Sequence, residues 1–114
     1  MSQLINQQHY FEFAGELDAE TLTMLRDLFL QENGEYCDRI ADLTKLGALK
    51  EIGAIMHSLK SSAATFGCST LAERSADLEM RAKADDESIL GEMDDFLQLA
   101  RATFDAFANL PAAA

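Results

Sequence analysis

The sequence is poor in residues that break helices and in basic residues that bind polyanions. Its 114 residues include one Pro, six Gly and no Trp, and no run of valine or isoleucine suggests a β-strand. Helix is therefore the expected secondary structure. Nine Lys and Arg against 20 Asp and Glu give a net charge of −11. A chain this acidic is poorly suited to bind nucleic acid or an anionic membrane surface.

Other classes of protein are excluded by what the sequence lacks. No apolar run approaches the roughly 18 residues that span a bilayer, and we expect no signal peptide, so a cytoplasmic protein with reduced thiols is predicted. Cys37 and Cys68 lack the spacing of a metal site. We expect no metal, no cofactor and two small packed cysteine side chains. The chain is one domain, too short to include a nucleotide-binding catalytic domain as well.

Apolar residues repeat at helical spacing along most of the chain. The first long helix is predicted over residues 19–45, with Asp18 as its N-cap and Gly47 as its terminator. Asn33-Gly34 interrupts the pattern, so one long helix and two shorter helices both stay open. A second helix is predicted over residues 48–66, before Gly67.

Two further helices complete the pattern. The third is predicted over residues 71–84, behind a capping box of Thr70 and Glu73, and the fourth over residues 85–109. Four amphipathic helices with short connections predict an all-α antiparallel up-down four-helix bundle over residues 18–109. Residues 1–15 are expected to form a short helix or a packed extended arm, and residues 110–114 a frayed tail.

His57 lies on the polar side of the second predicted helix. Successive helical residues turn by about 100°, which gathers apolar residues on the side opposite His57: Ile52, Ile55, Leu59, Ala63 and Phe66. The side that carries His57 has mostly small residues and two lysines: Lys50, Gly53, Ala54, Lys60, Ser61, Ala64 and Cys68. Packing poorly explains a histidine there, whereas access by a partner explains it well.

An exposed imidazole is largely neutral and nucleophilic at neutral pH. His57 can therefore attack phosphorus and carry the phosphoryl group as a phosphoramidate. Lys60 can bring its ammonium beside that group, and Ser61 can donate a hydrogen bond. Gly53, Ser61 and Ala64 leave room around the ring. No second His, Asp or Cys lies one turn away to form a catalytic dyad or a metal site, so His57 suits a carrier better than an enzyme.

These residues resemble a known family. The pattern is His57-x-Leu59-Lys60-small-Ser62, then Gly67, Leu71 and Leu78-Glu79. It resembles the histidine-containing phosphotransfer (HPt) domains of multistep phosphorelays, most strongly over residues 57–79 and in helix layout over residues 18–108. The family usually has Gly where this chain has Ser61, at a point where a partner would approach closely.

The resemblance implies a phosphorelay function. His57 would accept a phosphoryl group from the aspartyl phosphate of a response-regulator receiver domain and pass it to the aspartate of another receiver. Lys60 would steady that group, while magnesium and the catalytic carboxylates would belong to the receiver. The implied partners are receiver domains and a hybrid sensor kinase, with Gly53, Ala64 and Gly67 giving them access. We expect a monomer without autokinase activity.

Two other function classes stay open. A helical interaction module, including a degenerate HPt fold that binds a receiver without phosphotransfer, fits the same sequence. An acyl carrier with a phosphopantetheine arm on Ser58 fits less well, because a histidine precedes that serine and the serine lies in mid-helix. A mass increase by the size of that arm would identify the acyl carrier.

Overall fold

The computed structural model describes residues 4–111, which form five α-helices and one 3₁₀ helix without a β-strand. In chain order these are α1 (Gln7–Ala14), α2 (Ala19–Leu46), α3 (Leu49–Thr65), α4 (Ser69–Lys83), the 3₁₀ helix (Glu87–Glu92) and α5 (Met93–Ala108). The predicted all-α class is confirmed for this part of the chain.

Helices α2 to α5 form the antiparallel bundle. Helix α3 packs against α2 and α4, and α5 packs against the same two helices. Only residues 47–48 separate α2 from α3, and residues 66–68 separate α3 from α4, so each link reverses the chain. The core includes these fully buried side chains: Tyr10, Leu22, Ile40, Ile52, Leu59, Leu78, Phe96 and Phe107.

Helix α2 is continuous through Asn33-Gly34. Asn33 is buried, and its Nδ2 donates to the Phe29 carbonyl at 2.7 Å and to Ser62 Oγ on α3 at 3.1 Å. A Cβ added at Gly34 would meet nothing within 4 Å, so this glycine reduces helix propensity without disturbing the packing. The alternative of two shorter helices is therefore wrong.

Both ends of α2 agree with the sequence. The Asp18 side chain accepts a hydrogen bond from the backbone N–H of Thr21 at 2.7 Å, which caps the N-terminus. Gly47 ends the helix in the left-handed conformation, with φ of 65°. The predicted cap and terminator are confirmed.

Two later helix starts differ from the prediction. Helix α4 begins at Ser69, directly after the turn at Gly67, so Thr70 and Glu73 lie inside the helix and Cys68 is the N-cap in place of the predicted Thr70. After Asp86, whose side chain accepts from the Ser88 N–H at 3.0 Å, the chain forms the 3₁₀ helix before α5. Arg81 of α4 bonds Asp86 and Glu92 at both ends of this segment, which holds it in the tighter conformation.

The N-terminal segment forms a helix that packs across the bundle. Asn6 Oδ1 accepts from the His9 N–H at 3.0 Å, and the Asn6 N–H donates to the Gly67 carbonyl at 2.7 Å. Tyr10 is fully buried, with its ring 5.6 Å from that of Phe107. The helix therefore covers the turn between α3 and α4.

Contacts also reach the start of the predicted tail. Arg26 donates to the Leu110 carbonyl at 2.9 Å, and the Tyr10 hydroxyl donates to the Pro111 carbonyl at 3.4 Å. The first two residues of the segment expected to fray are thus held by the bundle. Residues 1–3 of the predicted arm and 112–114 of the predicted tail lie outside the described residues.

Candidate functional site

His57 presents its ring at the surface of α3, with 59% of the side chain exposed. Burial of Ile52, Ile55 and Leu59 on the other side of the helix fixes this orientation. His57 Nδ1 lies 2.7 Å from Glu79 Oε2 on α4. A carboxylate can only accept, so Nδ1 carries the proton of the neutral ring and Nε2 carries the lone pair.

Glu79 is the buried centre of the site, with only 6% of its side chain exposed. Lys60 Nζ donates to its Oε1 at 2.6 Å, and Lys83 Nζ donates to its Oε2 at 2.7 Å. The hydrogen bond from Lys60 has the largest effect on the pKa of Glu79, followed by that from Lys83, and with His57 they lower it to about 2. The carboxylate is therefore ionised at neutral pH and holds three donors in place.

Of the seven residues that the helical projection placed on the side of His57, five are exposed or half-buried: Lys50, Ala54, Lys60, Ser61 and Ala64. Lys60 is half-buried with its ammonium on Glu79, and Ser61 and Ala64 are exposed. The helical projection placed these residues as the structure has them. The small side chains of Ser61 and Ala64 leave the surface beside His57 uncrowded.

Two glycines expected to give partners access are buried instead. A Cβ at Gly53 would lie 3.2 Å from the Ala82 Cβ of α4, so this glycine allows close packing of the two helices. Gly67 has φ of 79°, and a Cβ there would lie 2.9 Å from the Asn6 carbonyl oxygen. Both residues shape the backbone under the site and do not line its surface, and that expectation is wrong for them. Cys68, also placed on this side by the projection, is buried.

Comparisons with known proteins identify the family of this chain. The family model described as "Hpt domain" matches residues 24–103. This chain belongs to the Hpt domain family. The Hpt domain is a phosphocarrier of a multistep phosphorelay, a carrier rather than a conventional enzyme, and it interacts with receiver and kinase domains.

Relatives of this Hpt domain cover almost its whole length. It is 34% identical over 107 residues to the "Phosphorelay protein LuxU" of Vibrio harveyi, covering 93% of this chain and 94% of the relative. It is 35% identical over 116 residues to the protein of the same name from Vibrio cholerae, covering 96% and 98%. No solved structure gives a significant match.

Two residues beside His57, Glu79 and Lys83, were given no role at the sequence level, although Glu79 belongs to the family pattern. The carboxylate that binds His57 comes from α4, 22 residues further along the chain, and a projection of α3 alone cannot reveal it. The available signal was on α4, where Glu79 precedes Lys83 by one helical turn and the buried Ala82 by three residues. These residues identify the side of α4 that packs on Gly53.

A shallow groove between α3 and α4 lies beside the histidine. It is lined by His57, Lys60, Ala76, Glu79, Met80 and Lys83. Met80 is 65% exposed, which is unusual for a large apolar side chain. This Hpt domain thus presents an exposed imidazole, two ammonium groups and an apolar side chain on one surface.

Other candidate chemistries have little support within residues 4–111. No group of His, Cys, Asp and Glu side chains there could hold a metal ion, and no helix there is long and apolar enough to cross a membrane. Cys37 and Cys68 are free but buried. Burial raises the pKa of the Cys37 thiol to about 11 and that of Cys68 to about 12, so both stay protonated and unreactive.

Proposed function

We propose that Nε2 of His57 is the atom that carries the phosphoryl group between two receiver domains. The observation that supports this most is the 2.7 Å contact from His57 Nδ1 to Glu79, combined with the exposure of the ring. The bond directs the proton to Nδ1 and leaves the Nε2 lone pair free to attack. A histidine with its proton assigned in this way is a nucleophile that needs no separate base.

The transfer step exchanges one bond to phosphorus for another. The Nε2 lone pair of His57 attacks the phosphorus of a receiver aspartyl phosphate, and the P–O bond to the receiver aspartate breaks with its electron pair. The ring then carries a positive charge that extends to Nδ1–H, and the Glu79 carboxylate stabilises that charge. In the second transfer, an aspartate of another receiver attacks phosphorus and the P–N bond breaks.

Lys60 and Ser61 assist this transfer. Lys60 Nζ lies on Glu79 Oε1, and its half-exposed side chain can rotate toward a phosphoryl group on the neighbouring histidine. The exposed Ser61 hydroxyl lies one turn beyond His57 and can donate to a phosphoryl oxygen. Phosphoryl transfer depends mainly on such positioning and charge stabilisation.

The receiver would dock over the exposed sides of α3 and α4. Ser61 and Ala64 lie on one flank of His57, and Ala76 and the exposed Met80 lie on the groove side. Apolar contact around a central reactive group suits a transient protein interface. Ser61, in place of the family glycine, is small enough to let the receiver approach.

The remaining features of this proposal concern the relay. The chain would receive its phosphoryl group from the receiver of a hybrid sensor kinase and would have no autokinase activity. It would act as a cytoplasmic monomer, with no role in binding nucleic acid or membrane surfaces, in keeping with its net charge of −11.

Transfer of radiolabel tests the assignment of His57. A receiver domain carrying a ³²P-labelled aspartyl phosphate should label the wild type and His9→Gln, but not His57→Gln. His9 is the matched control, since it is the only other histidine and its Nε2 bonds the Thr65 carbonyl at 3.2 Å. Equal labelling of His57→Gln would refute the proposal. Tight receiver binding without label in any variant would instead support the interaction module.

A further inference from the structure

We infer that Lys83 is a second phosphoryl-binding cation, which supplies the positive charge that Lys60 alone cannot. This inference rests on the proposed role of His57 and extends it to α4. The helical projection that led to Lys60 contained no information on Lys83. The inference rests on the buried carboxylate of Glu79, which binds two ammonium groups and the imidazole at once.

Without Lys83, the charges beside His57 would cancel. Lys60 lies 2.6 Å from the carboxylate, so its charge is already matched by that of Glu79. With these two residues alone, the site would be neutral before transfer and would gain about two negative charges with the phosphoryl group. Lys83 makes the empty site positive, which attracts the incoming dianion and limits the negative charge afterwards.

The ammonium of Lys83 lies close to the imidazole of His57. Its Nζ lies 2.7 Å from Glu79 Oε2, and His57 Nδ1 lies 2.7 Å from the same oxygen. The ammonium is therefore separated from the ring nitrogen by no more than twice that distance. Lys60 bonds the other oxygen, Oε1, so the two cations approach the imidazole from separate helices.

The exposed side chain of Lys83 is free to change its hydrogen-bond partner. Its side chain is 64% exposed, compared with 35% for Lys60. A lysine at this exposure can leave one oxygen and bind another at little loss, because its ammonium is a mobile point charge. Glu79 would keep the bond to His57 Nδ1 while Lys83 rotates to the phosphoryl oxygens.

A purely structural role for Lys83 predicts different behaviour. Glu79 and Lys83 are four residues apart on α4, and such a pair can stabilise a helix without taking part in transfer. Removing it would then lower the thermal stability and leave the transfer rate unchanged. A role in phosphoryl binding changes the rate, its dependence on salt and its response to substitution by arginine.

The test compares lysine-to-glutamine variants as acceptors from a ³²P-labelled receiver. Lys83→Gln should lower the transfer rate roughly three- to tenfold, Lys60→Gln by a similar factor, and the double variant further than either. Lys50→Gln is the control, because Lys50 is an exposed lysine of α3 without an ion pair among residues 4–111. It removes the same unit of charge and should leave the rate near that of the wild type.

Salt and rescue measurements complete the test. The rate should fall less steeply with added salt for Lys83→Gln than for the wild type, and Lys83→Arg should recover most of the rate. Labelling of Lys83→Gln at the wild-type rate would overturn the inference and leave His57 as the acceptor. Failure to label the wild type would overturn the proposed function and this inference together.

Discussion

Helix α4 takes part in two ionic clusters that are built in different ways. The site cluster places two lysines and an imidazole around one carboxylate, and its members are Lys60, Lys83, His57 and Glu79. The arginine cluster joins α4 to the 3₁₀ helix, and its members are Arg74, Arg81, Asp77, Asp86 and Glu92. Cations exceed carboxylates in the first cluster, and carboxylates exceed cations in the second.

Every charged group of the arginine cluster has an ionic partner within the cluster. Arg81 contacts Asp77 at 3.1 Å, Asp86 at 3.0 Å and both oxygens of Glu92, while Arg74 lies 2.6 Å from Glu92. Hydrogen bonds from Arg81 and then Arg74 lower the pKa of Glu92 to about 2, and the bonds to Glu92, Asp86 and Asp77 raise the pKa of Arg81. The cluster therefore fastens the 3₁₀ helix to α4.

The difference shows how one helix can serve both structure and chemistry. Arginine forks make several fixed bonds at once, whereas each lysine makes a single bond that it can exchange. The arginine cluster has no cation to offer to a ligand. The site cluster has an excess cation and an exposed imidazole, which suits the proposed transfer of a phosphoryl group.

Removal of the central carboxylate should have the largest effect on transfer. Glu79→Ala leaves Nδ1 of His57 without its acceptor, so we expect the phosphotransfer rate to fall about tenfold, as for one charge-assisted hydrogen bond. Unfolding should become easier by about 1 to 3 kcal/mol in urea titrations. Glu79→Gln is the control, because its amide oxygen can still accept from Nδ1. An unchanged rate in Glu79→Ala would show that Glu79 does not orient the ring.

A bulky residue at Gly53 should separate the site cluster and spare the arginine cluster. Gly53→Leu places a side chain against Ala82, where a Cβ alone would already lie 3.2 Å away. We expect about 1 to 3 kcal/mol of destabilisation and a several-fold loss of transfer, as α3 shifts from α4. Gly34→Leu is the matched variant, since a Cβ there meets nothing within 4 Å. Equal losses in both variants would contradict this role for Gly53.

Disruption of the arginine cluster should lower the stability of the fold and leave the transfer rate almost unchanged. Arg81→Gln removes the side chain that contacts all three carboxylates, and we expect the thermal unfolding midpoint to fall by several degrees. The transfer rate of the folded protein should stay within a factor of about two of wild type, since no reacting group is touched. Circular dichroism melts and labelling assays provide the two measurements. A large loss of transfer at temperatures where this variant is folded would show that the clusters are coupled.

Acid should remove the contribution of Glu92 to folding stability as the pH falls from 4.5 to about 2. Its pKa is about 2 in the folded protein against an ordinary 4.5, so its ionised form stabilises the fold above pH 4.5. That contribution falls as pH drops toward 2. The stability advantage of the wild type over Glu92→Gln should follow the same course in urea titrations at several pH values. Glu87→Gln, at an exposed position of the same 3₁₀ helix, is the control; a constant advantage down to pH 2 would contradict the ion pairing.

Local signals in the sequence predicted most of the fold. Asp18 and Gly47 act within a few residues of the backbone groups that they satisfy, so the limits of α2 could be predicted. The 3₁₀ helix could not, because its conformation depends on Arg81 reaching it from α4. Thr70 carried the pattern of a cap, but the turn at Gly67 started the helix earlier.

The site was predictable only where a single helix determines it. The exposure of His57 and the position of Lys60 follow from the apolar face of α3. The proposed roles of Glu79 and Lys83 depend on how α3 crosses α4, and that crossing depends on close packing of Gly53 on Ala82. A glycine expected to leave surface room instead serves to bring two helices together.

Glu79 is proposed to direct the phosphoryl group to Nε2 of His57. The most direct test is ¹⁵N NMR of the phosphorylated His9→Gln variant, in which His57 is the only histidine. We expect a single species with phosphorus bonded to Nε2 and a proton on Nδ1. Phosphorus on Nδ1, or phosphorylation with no change in the imidazole signals, would contradict it.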